Sequence, residues 1–259
     1  MDIDRFYNED CLVTMGRMPD GFIDLVVTSP PYDNLREYNG YSFDFEGVSK
    51  ELYRVMKPGG VVVWVVGDAC IDGGETGTSF RQALHFMELG FKLHDTMIYM
   101  KNNPLPTPGK RYQQSFEYMF AFSKGTPSVF NPIMEPTIYT GIANMKNRGK
   151  EGGLDYRKIE RTESKKVSNV FRYSVGGGIS TTDDVAFGHP AIFPEQLAED
   201  QIMTWSNPGD LVYDPFLGSG TTVKMAIKNN RRWIGSEISE EYCRLISERL
   251  QGGVPVYIF

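Results

Sequence analysis

The chain has 259 residues, a formal net charge of −6 and 41% apolar residues, which is typical of a folded globular protein. Its longest apolar run, Val61–Val66, is too short to cross a bilayer, and its first ten residues lack the apolar stretch of a signal peptide. The three cysteines Cys11, Cys70 and Cys243 are odd in number and widely scattered, which argues against a disulfide framework. We therefore expect a cytoplasmic protein without a membrane partner.

Short apolar runs alternate with helical patterns in the first half of the chain. Thr28-Ser29-Pro30-Pro31 ends the first run, because two prolines continue neither a strand nor a helix. In chain order the pattern predicts a strand at Phe22–Val27, a helix at Phe45–Met56 stopped by Lys57-Pro58-Gly59-Gly60, a buried strand at Val61–Val66, a helix at Ser79–Leu89 and a strand at Lys92–Tyr99.

The same alternation returns after a weakly patterned, glycine-rich stretch at 125–188, which we expect to be an irregular insertion or small lobe. Beyond it the sequence predicts a helix at Pro194–Trp205, a strand at Leu211–Tyr213, a helix at Thr221–Lys228, a strand at Trp233–Gly235 and a helix at Glu240–Leu250. Such alternation is typical of an α/β domain with a mostly parallel sheet. We expect one domain in two halves, 1–124 and 189–259, separated by the insertion.

Basic residues are concentrated in one segment of an otherwise acidic chain. Between Asn144 and Arg172 there are nine Lys or Arg against four Asp or Glu, a net charge of +5 that leaves −11 for the remainder. Phosphate contacts depend on nearby cations rather than on total charge. The segment therefore fits either a polyanion-binding surface or an ordinary solvated loop, and charge alone favours neither.

A glycine-rich turn, Asp214–Thr222, joins a predicted strand to a predicted helix. Glycines let a ligand approach the backbone closely, and Glu237 at the end of the next strand could accept hydrogen bonds from ribose hydroxyls. Position 223 is Val, so the third glycine of a dinucleotide fingerprint is absent, and the Gly-Lys-Ser/Thr of a phosphate loop is absent too. A nucleoside ligand without a pyrophosphate fits better, and S-adenosylmethionine is one.

Ser29-Pro30-Pro31-Tyr32 also follows a strand and should open onto the same sheet edge. The prolines stiffen the loop and leave aimed carbonyls, while the tyrosine offers a face on which a base can stack. A base amine is a poor nucleophile because its lone pair is delocalised into the ring. Acceptors such as the Ser29 side chain and the Pro30 carbonyl would hold its hydrogens and orient that lone pair. In isolation the segment would be read as a proline turn.

Taken together, these segments resemble the DNA amino-methyltransferases, in the subgroup whose catalytic motif precedes the cofactor motif. Ser29–Tyr32 resembles the family's S/D/N-P-P-Y motif, and Phe216–Gly220 resembles its F-x-G-x-G motif. The resemblance covers nearly the whole chain through further stretches at Asn8–Cys11, Glu51–Gly60, Lys101–Pro104, Arg111–Lys124 and His189–Leu197. It implies a Rossmann-like, class I S-adenosylmethionine-dependent methyltransferase fold, with a mostly parallel sheet, helices on both faces and a small inserted recognition lobe.

The resemblance also implies roles for individual residues. The catalytic set is Ser29, Pro30, Pro31 and Tyr32. The cofactor-binding set comprises Asp10 and Cys11 near the cofactor adenine, His189 near its methionine end, and Asp214, Phe216, Gly218, Gly220, Thr221 and Glu237 around the glycine turn. The insertion at 125–188 would recognise double-stranded DNA, with contacts from Lys146, Arg148, Lys150, Arg157, Lys158, Arg161, Lys165 and Lys166.

Several alternatives differ in how well the residues support them. Cytosine C5 methylation needs a Pro-Cys nucleophile, which the sequence lacks, and RNA or protein amino-methyltransferases place Pro-Pro-Tyr after the glycine motif. Serine in the first motif position favours cytosine N4 as the target, with adenine N6 the alternative and a DNA-binding module without catalysis a minor one. The histidines and cysteines show no metal-ligand spacing, and the chemistry needs no metal.

The biological setting is less constrained by the residues. The family resemblance implies a bacterial or phage-encoded protein of the bacterial cytoplasm, in which a restriction endonuclease partner would fit. The sequence does not distinguish a monomer from a homodimer. Lys101–Pro104 fits a contact with DNA or with the target base, and equally an ordinary loop.

Overall fold

The computed structural model describes residues 1–31, 43–107, 109–138, 140–148, 153–176, 178–181, 183, 186 and 192–251. The chain divides into two compact units, one formed by Met1–Asn131 with Asn169–Phe259 and the other by Pro132–Ser168. The second unit is shorter than the insertion expected at 125–188, because residues on both sides of it belong to the larger unit.

Within the described residues the chain forms fourteen strands and six helices. The strands are β1 (Arg5–Tyr7), β2 (Ile23–Thr28), β3 (Met56–Val66), β4 (Cys70–Ile71), β5 (Gly74–Glu75), β6 (Lys92–Lys101), β7 (Phe116–Ser123), β8 (Met134–Pro136), β9 (Gly141–Arg148), β10 (Leu154–Arg161), β11 (Ser164–Lys166), β12 (Val170–Tyr173), β13 (Leu211–Asp214) and β14 (Arg232–Ser236). The helices are α1 (Cys11–Gly16), α2 (Phe45–Val55), α3 (Thr78–Glu88), α4 (Glu195–Trp205), α5 (Thr221–Lys228) and α6 (Glu240–Gln251).

Eight of these strands form the main sheet, in the order β1-β14-β13-β2-β3-β7-β6-β12. Neighbours from β1 to β3 are parallel, as are β6 and β12, whereas β7 runs antiparallel between β3 and β6. The sheet is therefore mostly parallel, as predicted. The carboxyl ends of β2, β13 and β14 lie together at one edge, which is where ligands bind in open α/β sheets.

Helices cover both faces of the sheet, and side chains alternate between two buried clusters because successive strand residues point to opposite faces. Val61, Val63 and Val65 pack with residues of α4, α5 and α6. Val62 and Trp64 pack with residues of α1, α2 and α3. Burial on both faces explains the unbroken apolar run Val61–Val66.

The segment Lys57–Gly60, predicted to stop the helix that precedes it, follows the end of α2 at Val55 and is part of β3 in the structure. Pairing with β2 shifts from Ile23↔Met56 to Leu25↔Val61, so the Pro-Gly-Gly segment forms an irregularity within the strand. Gly59 has φ +83° and donates from its backbone N–H to the Lys124 carbonyl at 2.6 Å. A residue with a side chain rarely adopts this φ, which accounts for the glycine.

The smaller unit consists of paired strands, where the sequence predicts an irregular insertion or small lobe. β9 and β10 form an antiparallel ribbon from Gly141↔Arg161 to Arg148↔Leu154, and β8 pairs with β11. The individual strands could not be predicted, because this ribbon has no alternating apolar face. Exposed polar and apolar residues such as Ile142, Met145 and Tyr156 are mixed along it.

No helix in the described ranges combines the length and the apolar content needed to cross a membrane.

Candidate active site and cofactor cleft

The ends of β2 and β13 are joined by a buried hydrogen bond at the carboxyl edge of the sheet. Thr28 Oγ1 donates to Asp214 Oδ1 at 2.7 Å, and Thr222 Oγ1 donates to the Val27 carbonyl at 3.1 Å. Ser29 directly follows Thr28, and the glycine turn directly follows Asp214. The two motifs, which lie far apart in sequence, therefore converge in the structure.

A cavity of about 610 Å³ opens where these motifs meet. Most of the predicted catalytic and cofactor-binding residues that are described line its wall: Asp10, Cys11, Ser29, Pro30, Pro31, Phe216, Gly218, Thr221 and Glu237. Tyr32 and His189 lie outside the described residues. The volume falls in the range of about 300–1,000 Å³ that is usual for small-molecule sites.

Asp214 and Gly220, also predicted to contact the cofactor, are buried next to residues of the cavity lining but are not part of it. Asp214 is 1% exposed, and its Oδ1 accepts both the Thr28 hydroxyl and the Phe216 backbone N–H, at 2.7 and 3.0 Å. Burial raises the pKa of this carboxyl to about 6. Asp214 thus links the two motifs through the hydrogen bonds that it accepts from each.

Gly220 is required by backbone geometry. It has φ +78°, and a Cβ at this position would lie 3.3 Å from Ile246 of α6. A larger residue would be strained in the backbone and would press on the helix below. The turn is therefore shaped by packing as well as by its approach to the cavity.

Glu237 is hydrogen-bonded to the glycine turn. Its Oε2 accepts the Gly218 N–H and its Oε1 accepts the Ser239 N–H, both at 2.8 Å. Only 8% of the residue is exposed, and burial raises the pKa of its carboxyl to about 7, against the lowering effect of these hydrogen bonds. Each carboxylate oxygen has a second lone pair, so the group can still accept hydrogen bonds from a ligand in the cavity.

The N-terminal segment reaches the same cavity through α1. Asp10 caps this helix by accepting the Leu12 N–H at 2.7 Å, and Asn8 donates to the Glu237 carbonyl at 2.9 Å. Cys11 follows the cap, and burial raises the pKa of its thiol, so it is a neutral wall of the cavity rather than a nucleophile. Sequence analysis predicted neither β1 nor α1, because three- and six-residue elements are too short to show a periodicity.

Sequence analysis assigned no site role to several other residues that line the cavity. Among these are Tyr99 and Glu117. Beside them lies Lys101, which the sequence offers as a contact for DNA or the target base and equally as part of an ordinary loop. Its Nζ contacts Glu117 Oε1 at 2.6 Å and lies 5.8 Å from the centroid of the Tyr99 ring. Lys101 is the last residue of β6 and Glu117 the second residue of β7, and antiparallel pairing brings them together. The sequence did not predict β7, so this pair could not be found. In the part of the chain that the structure describes, no group of three His, Cys, Asp or Glu side chains could hold a metal ion.

The predicted DNA-binding cations lie on the smaller unit. Lys146, which lies 5.5 Å from the Tyr156 ring, and Lys158 occupy one face of the β9–β10 ribbon, whereas Arg157 and Arg161 occupy the other, because directly paired residues share a face. All four are exposed. The remaining members differ in position: Lys165 and Lys166 lie on β11, with Lys165 paired to Glu135, Arg148 ends β9, and Lys150 lies outside the described residues.

Comparison with known proteins identifies a family for this arrangement. The DNA methylase model N6_N4_Mtase matches residues 23–248. The orphan methyltransferase M.BamHII of Bacillus amyloliquefaciens is 54% identical over 240 residues, covering 90% of each chain. The type II methyltransferase M.BglII of Bacillus subtilis is 28% identical over 262 residues, covering 96% of this chain and 69% of that one.

Solved structures agree with this fold. The PvuII DNA methyltransferase (cytosine-N4-specific) has a TM-score of 0.69 at 22% identity, over 98% of this chain and 87% of that chain. TTHA0409 of Thermus thermophilus, solved in complex with S-adenosyl-L-methionine, has a TM-score of 0.66 at 25% identity, over 98% and 95%. The family match across residues 23–248 and the 54% identity to M.BamHII show that this chain belongs to the N6/N4 DNA methylase family.

Proposed function

We propose that this chain transfers a methyl group from S-adenosyl-L-methionine to the exocyclic amino group of a base turned out of double-stranded DNA. The observation that carries the proposal is the Thr28–Asp214 hydrogen bond of 2.7 Å, which brings the catalytic motif and the glycine turn to one cavity. Methyl transfer needs donor and acceptor in contact, and a shared cavity supplies that proximity. Extrusion of the base is required because its amine is paired inside the duplex.

The cavity wall suits the proposed cofactor. Glu237 offers a partly desolvated carboxylate for the ribose hydroxyls, and Asp10 offers a second carboxylate near the N-terminus of α1 for the adenine end. Gly218 lets the ligand approach the backbone. The binding of S-adenosyl-L-methionine by TTHA0409, at 25% identity over 98% of this chain, also supports the assignment. His189 stays a prediction for the methionine end.

Ser29 and Pro30 are the proposed acceptors for the target amine. The cofactor supplies an electrophilic methyl group on a sulfonium, so the protein has to present the nitrogen lone pair to it. Holding both N–H groups on the Ser29 side chain and the Pro30 carbonyl would favour a pyramidal, more reactive nitrogen. Tyr32 would stack on the base, and the amine would lose its proton only as the methyl group arrives.

Cytosine N4 is the favoured target, and adenine N6 is the alternative. The support for cytosine is Ser29 in the first position of the motif, where N6-adenine members more often have Asp or Asn. A DNA-binding module without catalysis fits less well, because Ser29, Pro30 and Pro31 all line the cavity.

Recognition of the DNA is assigned to the smaller unit. The exposed cations on both faces of the β9–β10 ribbon support this assignment, since two-stranded ribbons of this kind fit a DNA groove. A restriction endonuclease partner stays a prediction, as does the oligomeric state.

Expression in a host that lacks DNA methylation tests the proposal. Single-molecule sequencing of the host DNA should report N4-methylcytosine in one sequence context. The Pro30→Ala variant should leave the DNA unmodified, while the purified variant still binds S-adenosyl-L-methionine in calorimetry. Unmodified DNA from cells with soluble wild-type protein would reject the activity. Full turnover by Pro30→Ala would reject the site assignment.

A further inference from the structure

A cluster of four charges, one buried and three partly buried, contacts the glycine turn and takes no part in the chemistry above. At its centre is Arg249 of α6, whose side chain is 0% exposed. Around it lie Asp183, Glu195 and Lys224, whose side chains are 21–29% exposed. An arginine withdrawn from water in this way needs several partners to offset its desolvation.

One edge of the Arg249 guanidinium holds the glycine turn. Its Nη1 donates to the Ser219 carbonyl at 2.7 Å, to Ser219 Oγ at 3.2 Å and to Thr221 Oγ1 at 3.0 Å. Ser219 lies between the two glycines that give the turn its shape, Gly218 and Gly220. Arg249 is thus hydrogen-bonded to the glycine turn, and Glu237 separately accepts a hydrogen bond from the Gly218 N–H.

The other edge holds two carboxylates, of Asp183 and of Glu195, the first residue of α4. Nε pairs with Asp183 Oδ2 at 2.8 Å, and Nη2 pairs with Glu195 Oε1 at 2.6 Å. Phe193, two residues before Glu195, lines the cavity. One planar guanidinium therefore connects two walls of the cavity that come from distant parts of the chain.

Lys224 completes the charge balance. It pairs with Asp183 at 2.6 Å and with Glu195 at 2.8 Å, giving two cations for two carboxylates. Burial alone would raise the pKa values of both carboxyls, but their hydrogen bonds to Lys224 and Arg249 lower them below their ordinary values. The carboxylates are therefore charged at neutral pH, and the cluster stays ionised.

We propose that Arg249 is a positioning residue for the cofactor, which fixes the glycine turn against Asp183 and against Glu195 at the start of α4. The inference rests on the proposed function and adds to it a residue outside the cavity. A planar guanidinium with several N–H donors in fixed directions is needed, because one side chain has to reach the Ser219 carbonyl and both carboxylates together. Lysine could keep the charge but could not reproduce this arrangement of donors.

Arg231 provides a matched control. It is also buried, at 6% exposed, and it donates to the hydroxyl and the carbonyl of one serine, Ser206, at 3.0 and 2.6 Å. It directly precedes β14 and so lies at the amino edge of the sheet, opposite the cavity. A purely structural role would give Arg249 and Arg231 the same behaviour.

The test compares Arg249→Met, Arg249→Lys and Arg231→Met in the full chain by calorimetry with S-adenosyl-L-methionine, by thermal unfolding, and by separate KM values for cofactor and DNA. Both Arg249 variants should raise the cofactor Kd and KM by at least about tenfold, since charged hydrogen bonds are lost. The KM for DNA should not change. Arg249→Lys should recover most of the lost melting temperature without recovering the affinity.

Arg231→Met should lower the melting temperature but keep the cofactor Kd within about twofold of the wild type. Wild-type cofactor affinity in Arg249→Lys would overturn the inference, as would an equal loss of affinity in Arg231→Met. If Arg249→Met does not fold, Arg249→Lys alone decides. Absence of cofactor binding by the wild type would instead reject the proposed function, and the inference would fall with it.

Discussion

Glu237 differs from an ordinary glutamate because its carboxyl is buried against the glycine turn. Its pKa is raised to about 7, so below that pH the group is mostly protonated in the cofactor-free protein. Ribose hydroxyls donate hydrogen bonds and so favour the ionised carboxylate. Cofactor binding should therefore be coupled to the release of a proton from Glu237.

This coupling predicts that cofactor affinity rises with pH. Between about pH 5.5 and 7 the Kd should fall by up to tenfold per pH unit, and above pH 7 it should level off. Calorimetry in buffers of different ionisation heat would detect the proton release. Glu237→Gln should bind more weakly, with little dependence on pH. A wild-type Kd that is constant over this range would contradict the ribose role.

The same raised pKa has the opposite consequence for the empty protein. A carboxyl whose pKa is raised by folding contributes stability below its unfolded pKa of about 4.5, and this contribution is lost as the pH rises through about 7. Asp214 adds a second contribution of the same sign, which is lost by about pH 6. At neutral pH the ionised carboxylates therefore lower the stability of the cofactor-free protein, and cofactor binding should offset part of this loss.

At the scale of the elements, the Thr28–Asp214 hydrogen bond between the ends of β2 and β13 keeps the two motifs of the site together. Removing the Thr28 hydroxyl leaves the buried Asp214 carboxyl with one partner fewer. We expect Thr28→Val to lower the free energy of unfolding by about 1–3 kcal/mol and to reduce turnover, because the catalytic loop follows this residue. Urea denaturation and a methyl-transfer assay measure the two effects.

Thr96→Val is the matched control for this change. Thr96 lies on β6 of the same sheet but is exposed, so its substitution should alter stability by no more than about 0.5 kcal/mol. Equal effects of the two substitutions would mean that the Thr28–Asp214 hydrogen bond does not join the motifs.

The β9–β10 ribbon makes a separate prediction about DNA. A ribbon in a groove has phosphates on both sides, so cations on both faces should contribute. Replacing Lys146 and Lys158 with alanine, or Arg157 and Arg161, should lower the slope of log K against log salt by up to about 2 in each case. Lys92→Ala, an exposed lysine at the start of β6, is the control. Unchanged slopes in both double variants would remove the ribbon from the DNA interface.

At the scale of the whole molecule, the sequence predicts best where a residue serves a single local purpose. Val61–Val66 is buried on both faces, so its apolar run predicts a strand whatever surrounds it. Gly220 has to adopt a positive φ, so the glycine turn can be recognised locally. Most of the predicted helices and main-sheet strands are of this kind.

What the sequence could not predict depends on residues brought together by topology. Lys101 and Glu117 meet only because β7 enters the sheet antiparallel, and Arg249 reaches Ser219 from a helix near the end of the chain. Asp214 is predicted as a cofactor contact from the sequence, and only the structure reveals that it also accepts hydrogen bonds from Thr28 and the Phe216 backbone. These contacts can be identified only in the folded structure, because no local sequence pattern indicates which distant residue will be the partner.

Charge is distributed unevenly between the two units of the molecule. The unit Pro132–Ser168 has eight Lys or Arg against five Asp or Glu, a charge of +3 that leaves −9 for the larger unit. A cationic unit on an acidic chain would attract DNA to the unit that we propose recognises it, and away from the rest of the surface.

The most direct measurement of the central claim uses purified protein, unmethylated double-stranded DNA and S-adenosyl-L-methionine carrying an isotopically labelled methyl group. After digestion, mass spectrometry of the nucleosides identifies the atom that received the label. The account predicts labelled N4-methylcytosine, and labelled N6-methyladenine would keep the mechanism while changing the base. Label on cytosine C5, or DNA without label while the protein binds the cofactor, would contradict it.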